Sequence, residues 1–499
     1  MNPQFPKLTA FPALASLVEE FPKTEVFLVG GAVRDTLLGK KITDIDLLVR
    51  NITGDELGDF LARVGRVVFA GKQFGVWKFN EIGRPREEVY DIALPRTEFS
   101  MHKQGIYKDF KVRTNPRLPI EEDLSRRDFT INAMAYNLVE EKLIDPHQGQ
   151  EDLKNKLIRT VGSSKERFQE DYSRILRAIR FSVQLGFAIE KQTLATATQM
   201  MPQINNSIDG KRVLPHEVIA EEFLKSLAAN PAKAIMLWDK THALRETLPE
   251  ILETKGCVQP DNWHTEGDVW THTLIALSKL SSEEFKKEFN NEKPDLELVL
   301  AVLFHDVGKP YTIKTPEKDG ADRIRFDGHD EVGAKVTKEA LDRIRISAPP
   351  GVGVSADHVA WMISHHMLLV HGKPETLRAD TIEKYFFSHR WPSRNFLKLL
   401  YVDGIATIGH DGNGMTNLYD TLKERITEIK KKTGSHGTKL VKPLLTGKDV
   451  MDTLHREPGP TIGTILQEIR AKQLSGDLTS KADALEYLKN VSQQTTPRT

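Results

Sequence analysis

Two aspartates one residue apart, Asp44 and Asp46, interrupt the apolar run TDIDLLV, and a glycine pair, Gly30 and Gly31, precedes them in VGGAVRD. On a strand, residues i and i+2 point to one face, so the two carboxylates would crowd each other. Like charges that close resist joint ionisation unless a cation lies between them. Oxygen ligands at this spacing suit Mg²⁺, which keeps waters and takes further ligands from substrate phosphates. The glycines leave bare N–H groups at the start of a helix, where a phosphate can be held. Arg34, one turn on, adds a planar guanidinium suited to phosphate oxygens. The segment therefore has the parts to hold a triphosphate at one end and its metals at the other. A glycine turn followed by two solvent-facing aspartates would give the same short pattern. No G-K-[ST] follows the glycines and no third spaced glycine precedes the helix, which excludes a Walker loop and a dinucleotide fingerprint.

Two later stretches add polar groups at regular spacing. SRRDFTINAMAYNL places Arg126, Arg127 and Asp128 at an expected helix start, with Asn132 one turn beyond Asp128. Groups stacked in this way can grip a ribose or a phosphate, while a surface-charged amphipathic helix is the simpler alternative. EDYSRILRAIR sets Asp171 and Arg174 at i, i+3, and Arg177 continues the stripe. A side chain that only accepts hydrogen bonds beside one that only donates them can read a base edge. An intrahelical ion pair is the commoner meaning of that spacing.

A separate set of histidines occupies the later chain. His272 stands in WTHTLIAL, His305 and Asp306 in LAVLFHDVGK, His329 in DGHDEVGA, His365 and His366 in ISHHM, and Asp403 in LLYVDGIA. Neutral imidazoles together with carboxylates suit a divalent transition metal, or magnesium bound with waters.

The first group of segments resembles the class II nucleotidyltransferase family, comprising the tRNA CCA-adding enzymes and bacterial poly(A) polymerases. The pattern GGxVRD…DxD falls on Gly30, Gly31, Val33, Arg34, Asp35, Asp44 and Asp46, and RRDxxxNA falls on Arg126, Arg127, Asp128, Asn132 and Ala133. DPHQGQEDL resembles the motif joining head to neck, and EDxxR falls on Glu170, Asp171 and Arg174. The resemblance implies that Asp44 and Asp46 are catalytic and hold two Mg²⁺ ions. It implies nucleotide contacts from Gly30, Gly31, Arg34, Arg126, Arg127, Asp128 and Asn132. Asp171 and Arg174 would face the base of CTP or ATP, with Arg177 a further nucleotide contact, and the tRNA 3′ end would be the acceptor. Asp91, in VYDIAL, is either a third acid near the metals or a structural strand-end residue. The aperiodic basic stretch 96–122 corresponds to the loop that family members use in switching from CTP to ATP.

The histidines resemble the HD phosphohydrolase superfamily, whose pattern is H…HD…H…H…D. That resemblance implies a divalent metal, its identity open, on His272, His305, Asp306 and Asp403. His329 and His366 would hold a second ion or orient a phosphate. The expected activity is template-independent addition or repair of the tRNA 3′-CCA, with phosphohydrolysis at the HD site. Poly(A) polymerases and CC-only or A-only enzymes share the head motifs. A metal-dependent phosphohydrolase with a nucleotide- or RNA-binding head is the rival of another class.

Positioning these groups takes several domains, because 499 residues exceed one hydrophobic core. VFLVG, IDLLV, VVFA, VWKF and VYDIAL read as strands, with AVRDTLL and ELGDFLARV as helices. That is an α/β head with a small mixed sheet, as in the polymerase-β-like superfamily, expected over 20–155. Helices expected at 126–138, 166–184, 213–228 and 230–240 make the rest mostly α-helical. The divisions are a neck at 156–255, an HD domain at 260–410, a basic linker at 411–443 and a helical tail at 444–490. Net charge is zero, so any polyanion must meet local basic patches. The single cysteine, Cys257, excludes an internal disulfide and points to a reduced, cytoplasmic setting. Neither a signal peptide nor an apolar run long enough for a bilayer is evident, so no membrane partner is expected.

Overall fold

The computed structural model describes residues 4–42, 44–70, 75–100, 104–107, 110–351, 353–387, 390–410, 412–434 and 440–494. Two compact units emerge, Met1–Thr247 and Leu248–Thr499.

Among the described residues, nine strands shape the head: β1 (Glu25–Val29), β2 (Ile45–Arg50), β3 (Gly65–Ala70), β4 (Val76–Glu81), β5 (Tyr90–Ala93), β6 (Arg96–Ser100), β7 (Phe110–Thr114), β8 (Ala135–Asn137) and β9 (Lys142–Ile144). Seven of them form one sheet in the order β3-β4-β5-β2-β1-β8-β9. β2 and β5 run parallel, and the other neighbours run antiparallel, so the sheet is mixed. Central strand β1 is buried from Val26 to Val29, which explains its unbroken apolar run. Its inner face packs with Leu48, Ile120, Leu124 and Ala135.

Three local expectations change. Residues 96–122 are not aperiodic: β6 and β7 pair as an antiparallel hairpin from Arg96↔Thr114 to Ser100↔Phe110, and a helix begins at Ile120. Two charged five-residue strands leave little periodicity; residues 101–103 and 108–109 lie outside the described set. The helix expected over 126–138 is a 3-10 turn, Thr130–Asn132, followed by β8. Phe129, Ile131, Met134 and Ala135 are all fully buried, which no single helical stripe provides, and β1 supplies the pairing partner through Val29↔Ala135. The expected 166–184 helix is broken into Ser164–Glu170 and Ser173–Leu185, with Asp171 extended between them. Its carboxylate accepts from Ser173 N at 2.8 Å, a local bond that competes with helix continuation. Neck helices His216–Ala229 and Pro231–Lys240 lie close to their expected positions, the second capped by Asn230.

The second unit is built from helices. Leu296–Phe304 is buried from Leu298 onward, as a helix apolar on every side must be, and it delivers His305 and Asp306 at its end. Around it run Val269–Lys279, His329–Arg343, Ala356–His365 and Ser393–Ala406. Two sequence divisions shift here. Residues 248–255, assigned to the neck, belong to this unit, where Glu250 pairs with Arg343. Much of the expected linker is the helix Asn417–Thr433, whose Tyr419, Leu422, Ile426 and Ile429 are buried; lysines on its other face hid that stripe. The tail has a small apolar core of its own, including Val450, Ile462, Ile469 and Leu488. Among the described residues, no helix is long and apolar enough to cross a membrane.

Candidate nucleotide and metal sites

In the first unit, β2 carries Asp46 and the bend before it carries Asp44, which is exposed. Asp46 lies in register with Asp91 on parallel β5, and Asp91 in register with Lys78 on β4. Partners on adjacent strands share a face, so the acids stand side by side. Lys78 Nζ donates to both Asp91 oxygens at 2.9 and 3.2 Å. Burial holds the Asp46 carboxyl above its ordinary range; Asp91 and Asp44 add to the effect, and Arg127 opposes it. A carboxylate whose ionisation is resisted in this way, with other acids beside it, suits a bound cation.

Gly30 is required twice over. Its φ is +68°, and a Cβ there would lie 2.7 Å from Arg127 Nη1. Gly31 begins the helix that carries Arg34. Arg34 gives Nε and Nη2 to Asp35, each at 2.9 Å, and Nη1 to Asn132 Oδ1 at 2.8 Å. Asn132 Nδ2 donates to Asp128 Oδ1 at 3.3 Å, and Arg177 clamps Asp128 Oδ2 with Nε and Nη2 at 2.9 and 2.6 Å. Although burial works against it, Arg177 holds the Asp128 carboxyl down at about 2. One chain of bonds therefore joins three motifs that are far apart in sequence.

The residues expected to bind metal and nucleotide line one open cavity of about 1030 Å³: Gly30, Gly31, Arg34, Asp44, Asp46, Arg126, Arg127, Asp128 and Asn132 from the head segment, with Asp171, Arg174 and Arg177 from the neck segment. Asp171 and Arg174 do not share a helix face, because Asp171 lies outside the Ser173–Leu185 helix. Arg174 instead donates to Glu170 and to the Arg167 carbonyl.

Two contributors were missed. Buried Asp123 accepts from Arg126 Nε and Nη2 at 3.0 and 2.8 Å and from Arg127 Nη2 at 3.4 Å, aiming both guanidiniums. An acid three and four residues before an arginine pair was the available signal. The ring of Phe181 lies under three guanidiniums, Arg180 at 4.2 Å and Arg34 and Arg177 at 5.4 Å each. An aromatic residue in an apolar helix stripe gave no hint of this.

In the second unit the ligand candidates form two groups. His272, His305 and Asp403 make one, and Asp306, His329 and His366 make the other. Asp306 reaches both, with Oδ2 3.3 Å from His305 Nε2 and Oδ1 3.5 and 3.7 Å from His329 and His366 Nε2. The Nδ1 atoms of His305, His329 and His366 lie 2.8, 2.8 and 2.7 Å from the carbonyls of Val302, Phe326 and Ile363. A carbonyl only accepts, so each Nδ1 carries a proton and Nε2 is the nitrogen turned to the ligand space.

The Nε2 atoms of His272 and His305 are 3.3 Å apart, and those of His329 and His366 are 3.1 Å apart. Converging imidazole nitrogens beside carboxylates fit a divalent metal. Buried Asp306 Oδ2 also makes no well-formed hydrogen bond, although Lys309 Nζ is 2.7 Å away. Burial would push His305 down, but Asp306 and Asp403 hold it up at about 10, drawing a proton to where a cation would sit. Asp306, Asp403, His329 and His366 line a cavity of about 630 Å³ with Lys309, Arg323 and Trp263. His365 stands apart, its Nδ1 2.8 Å from the Trp361 carbonyl and its ring against Trp361 and Tyr385.

Comparison with known proteins gives consistent results. Residues 26–159 match the family described as Poly A polymerase head domain, and residues 269–389 match the HD domain. The chain is 36% identical over 329 residues to the multifunctional CCA protein of Legionella pneumophila (strain Paris), covering 64% of this chain and 70% of that one. It is 29% identical over 476 residues to the A-adding tRNA nucleotidyltransferase of Deinococcus radiodurans, covering 94% and 96%. In fold it is similar to the Bacillus stearothermophilus CCA-adding enzyme solved with CTP, with a TM-score of 0.62 at 19% identity over 98% of this chain and 99% of that one. The Thermotoga maritima CCA-adding enzyme solved with tRNA gives a TM-score of 0.58 at 21% identity over 98% and 96%.

Proposed function

The chain belongs to the tRNA nucleotidyltransferase family with a poly(A)-polymerase-type head and an HD domain, and from that premise we propose that it adds or repairs the tRNA 3′-CCA from CTP and ATP without a nucleic-acid template. The observation that carries this reading is the single cavity joining the acids of β2 and β5 to the arginines of two later motifs. Asp44 and Asp46, with Asp91 beside them, hold Mg²⁺. Ions held there would supply activation of the RNA 3′-hydroxyl and charge neutralisation of the leaving pyrophosphate. The Gly30 and Gly31 backbone, Arg34, and the Asp123-aimed Arg126 and Arg127 bind the phosphates.

Asp128 keeps Arg177 pointed into the cavity, and Asn132 keeps Arg34 there. Asp171 and Arg174 present an acceptor and donors to the base edge. Each good bidentate pairing is worth about 1–3 kcal/mol of discrimination, which favours CTP and ATP over UTP and GTP. These substrates assign the work to the cytoplasm.

At the HD site we propose a second activity, phosphohydrolysis dependent on a divalent metal. The two ligand groups would hold the metal, which when bound would supply activation of water and Lewis-acid polarisation of a phosphoryl group. Lys309, held by Asp306 and by Gln259 Oε1 at 2.7 Å, is the cation nearest the ligands and neutralises the phosphate.

A-only addition is the competing reading of the head, favoured by the near full-length match to an A-adding enzyme. The test is extension of tRNA transcripts ending before CCA and after CC, with Mg²⁺, resolved to single nucleotides. Three additions that require both CTP and ATP are expected. Extension of only the CC-ended transcript identifies an A-adding enzyme, and long tails from ATP identify a poly(A) polymerase. No extension of either transcript removes the proposal for the head.

A further inference from the structure

His264, Glu266 and His272 form a third group of potential ligand atoms. The geometry gives it another use: we propose that Glu266 is a positioning residue that fixes the metal-binding edge of His272, and is not itself a ligand. This rests on the reading that the HD site binds a divalent metal.

The Glu266 side chain is fully buried, and both of its oxygens are engaged. Oε1 accepts from His272 Nδ1 at 2.8 Å and from His264 Nδ1 at 2.7 Å, while Oε2 accepts from Ile408 N at 3.0 Å. Because Nδ1 of His272 is turned to Glu266, Nε2 is the nitrogen left for metal. That atom lies 3.1 Å from Asp403 Oδ1 and 3.3 Å from His305 Nε2.

His305, His329 and His366 are each oriented by the backbone carbonyl three residues back. His272 is one turn inside the Val269–Lys279 helix, and the carbonyl three residues before it, Val269 O, is taken by the Thr273 hydroxyl at 2.8 Å. An outside acceptor has to do the same work there, and Glu266 is that acceptor. A carboxylate also makes the imidazole a stronger ligand than a carbonyl would. Through Ile408 N, the same side chain fastens the segment leaving Ser393–Ala406, the helix that carries Asp403. One buried carboxylate thus sets two ligands from different helices.

The experiment uses full-length protein with Asp44→Ala and Asp46→Ala, so that the head takes no metal, and Co²⁺ as the probe. Titration calorimetry and the visible Co²⁺ spectrum are recorded for this parent and for E266Q. In the metal-free parent, ¹⁵N shifts report the His272 tautomer. We expect Nδ1–H in the parent, Co²⁺ binding weakened about 10–100-fold by E266Q, and an altered spectrum. H264A, which leaves the His272 bond intact, should bind as the parent does. With the head acids restored, E266Q should add nucleotides normally.

Parental affinity in E266Q overturns the proposal, as does a parent His272 whose Nδ1 carries no proton, a result that needs no variant to fold. Loss of one Co²⁺ equivalent in E266Q, with the remainder unchanged, would make Glu266 a ligand and also overturn it. A parent whose Co²⁺ binding is indifferent to H305A removes the metal reading itself, which separates that failure from failure of the positioning role.

Discussion

The head and HD sites both gather carboxylates around space for a cation, but they balance that charge in opposite ways. In the head, Asp44 is exposed, and the countercharge comes from guanidiniums whose own positions depend on Asp123 and Asp128. In the HD site, imidazoles and carboxylates face one another directly, and His272 and His305 are sealed from solvent. An open site with few protein ligands leaves room for Mg²⁺, its waters and a substrate triphosphate, so it is completed by the nucleotide. A buried cluster of oriented imidazoles is preorganised and favours a transition metal without substrate. On the proposed reading, arginines mark the place where phosphate would bind and leave in each cycle, and histidines the place where metal would stay.

The strongest test of this contrast is a double dissociation. Replacing Asp44 and Asp46 by Ala should lower nucleotide addition by roughly 10³–10⁶-fold, the range for groups central to the chemistry, and leave metal-dependent hydrolysis of p-nitrophenyl phosphate intact. His305→Ala with Asp306→Ala should do the reverse. Loss of both activities in either variant would break the separation.

A smaller effect is expected at Gly30. Alanine there costs about 1–2 kcal/mol for the left-handed backbone and also displaces Arg127. We expect kcat/KM for CTP and ATP to fall together by roughly tenfold or more, with hydrolysis unchanged. A loss confined to one nucleotide would mean that Gly30 acts on base choice rather than on phosphates.

The smallest concerns stability. Arg177 lowers Asp128 from 3.8 to about 2, so the pair stabilises the fold fully above about pH 4 and is lost as pH falls towards 2. D128N should cost the first unit about 2 kcal/mol at pH 7 and flatten its acid limb, with parent and variant converging near pH 2. Urea unfolding at several pH values measures this. A constant difference down to pH 2 would show that Asp128 contributes packing rather than charge.

The sheet strands were legible because β-branched runs such as VFLVG and IDLLV are buried on pairing, and alternation or continuous apolarity follows from that. The β6–β7 hairpin and strand β8 were not: the hairpin strands are short and charged and carry little pattern, and β8 depends on β1, a partner distant in sequence. The break at Asp171 was hidden for the opposite reason. One side chain bonding two residues ahead overrides a helical period that otherwise runs unbroken. The helix Asn417–Thr433 was obscured by lysines, which report solvent and not the absence of structure.

The sequence alone determined which chemistries are present, because ligand type and local spacing are fixed by covalent order: the paired aspartates, the glycines, the arginine motifs and the histidine series. Tertiary structure decided which groups serve which. It set Asp91 and Lys78 beside Asp46, turned Asp123 and Asp128 into holders of arginines, and divided six ligands into two groups with Glu266 behind them. Those assignments depend on hydrogen bonds of a few ångströms between residues that can stand more than a hundred positions apart. Only packing brings them within reach.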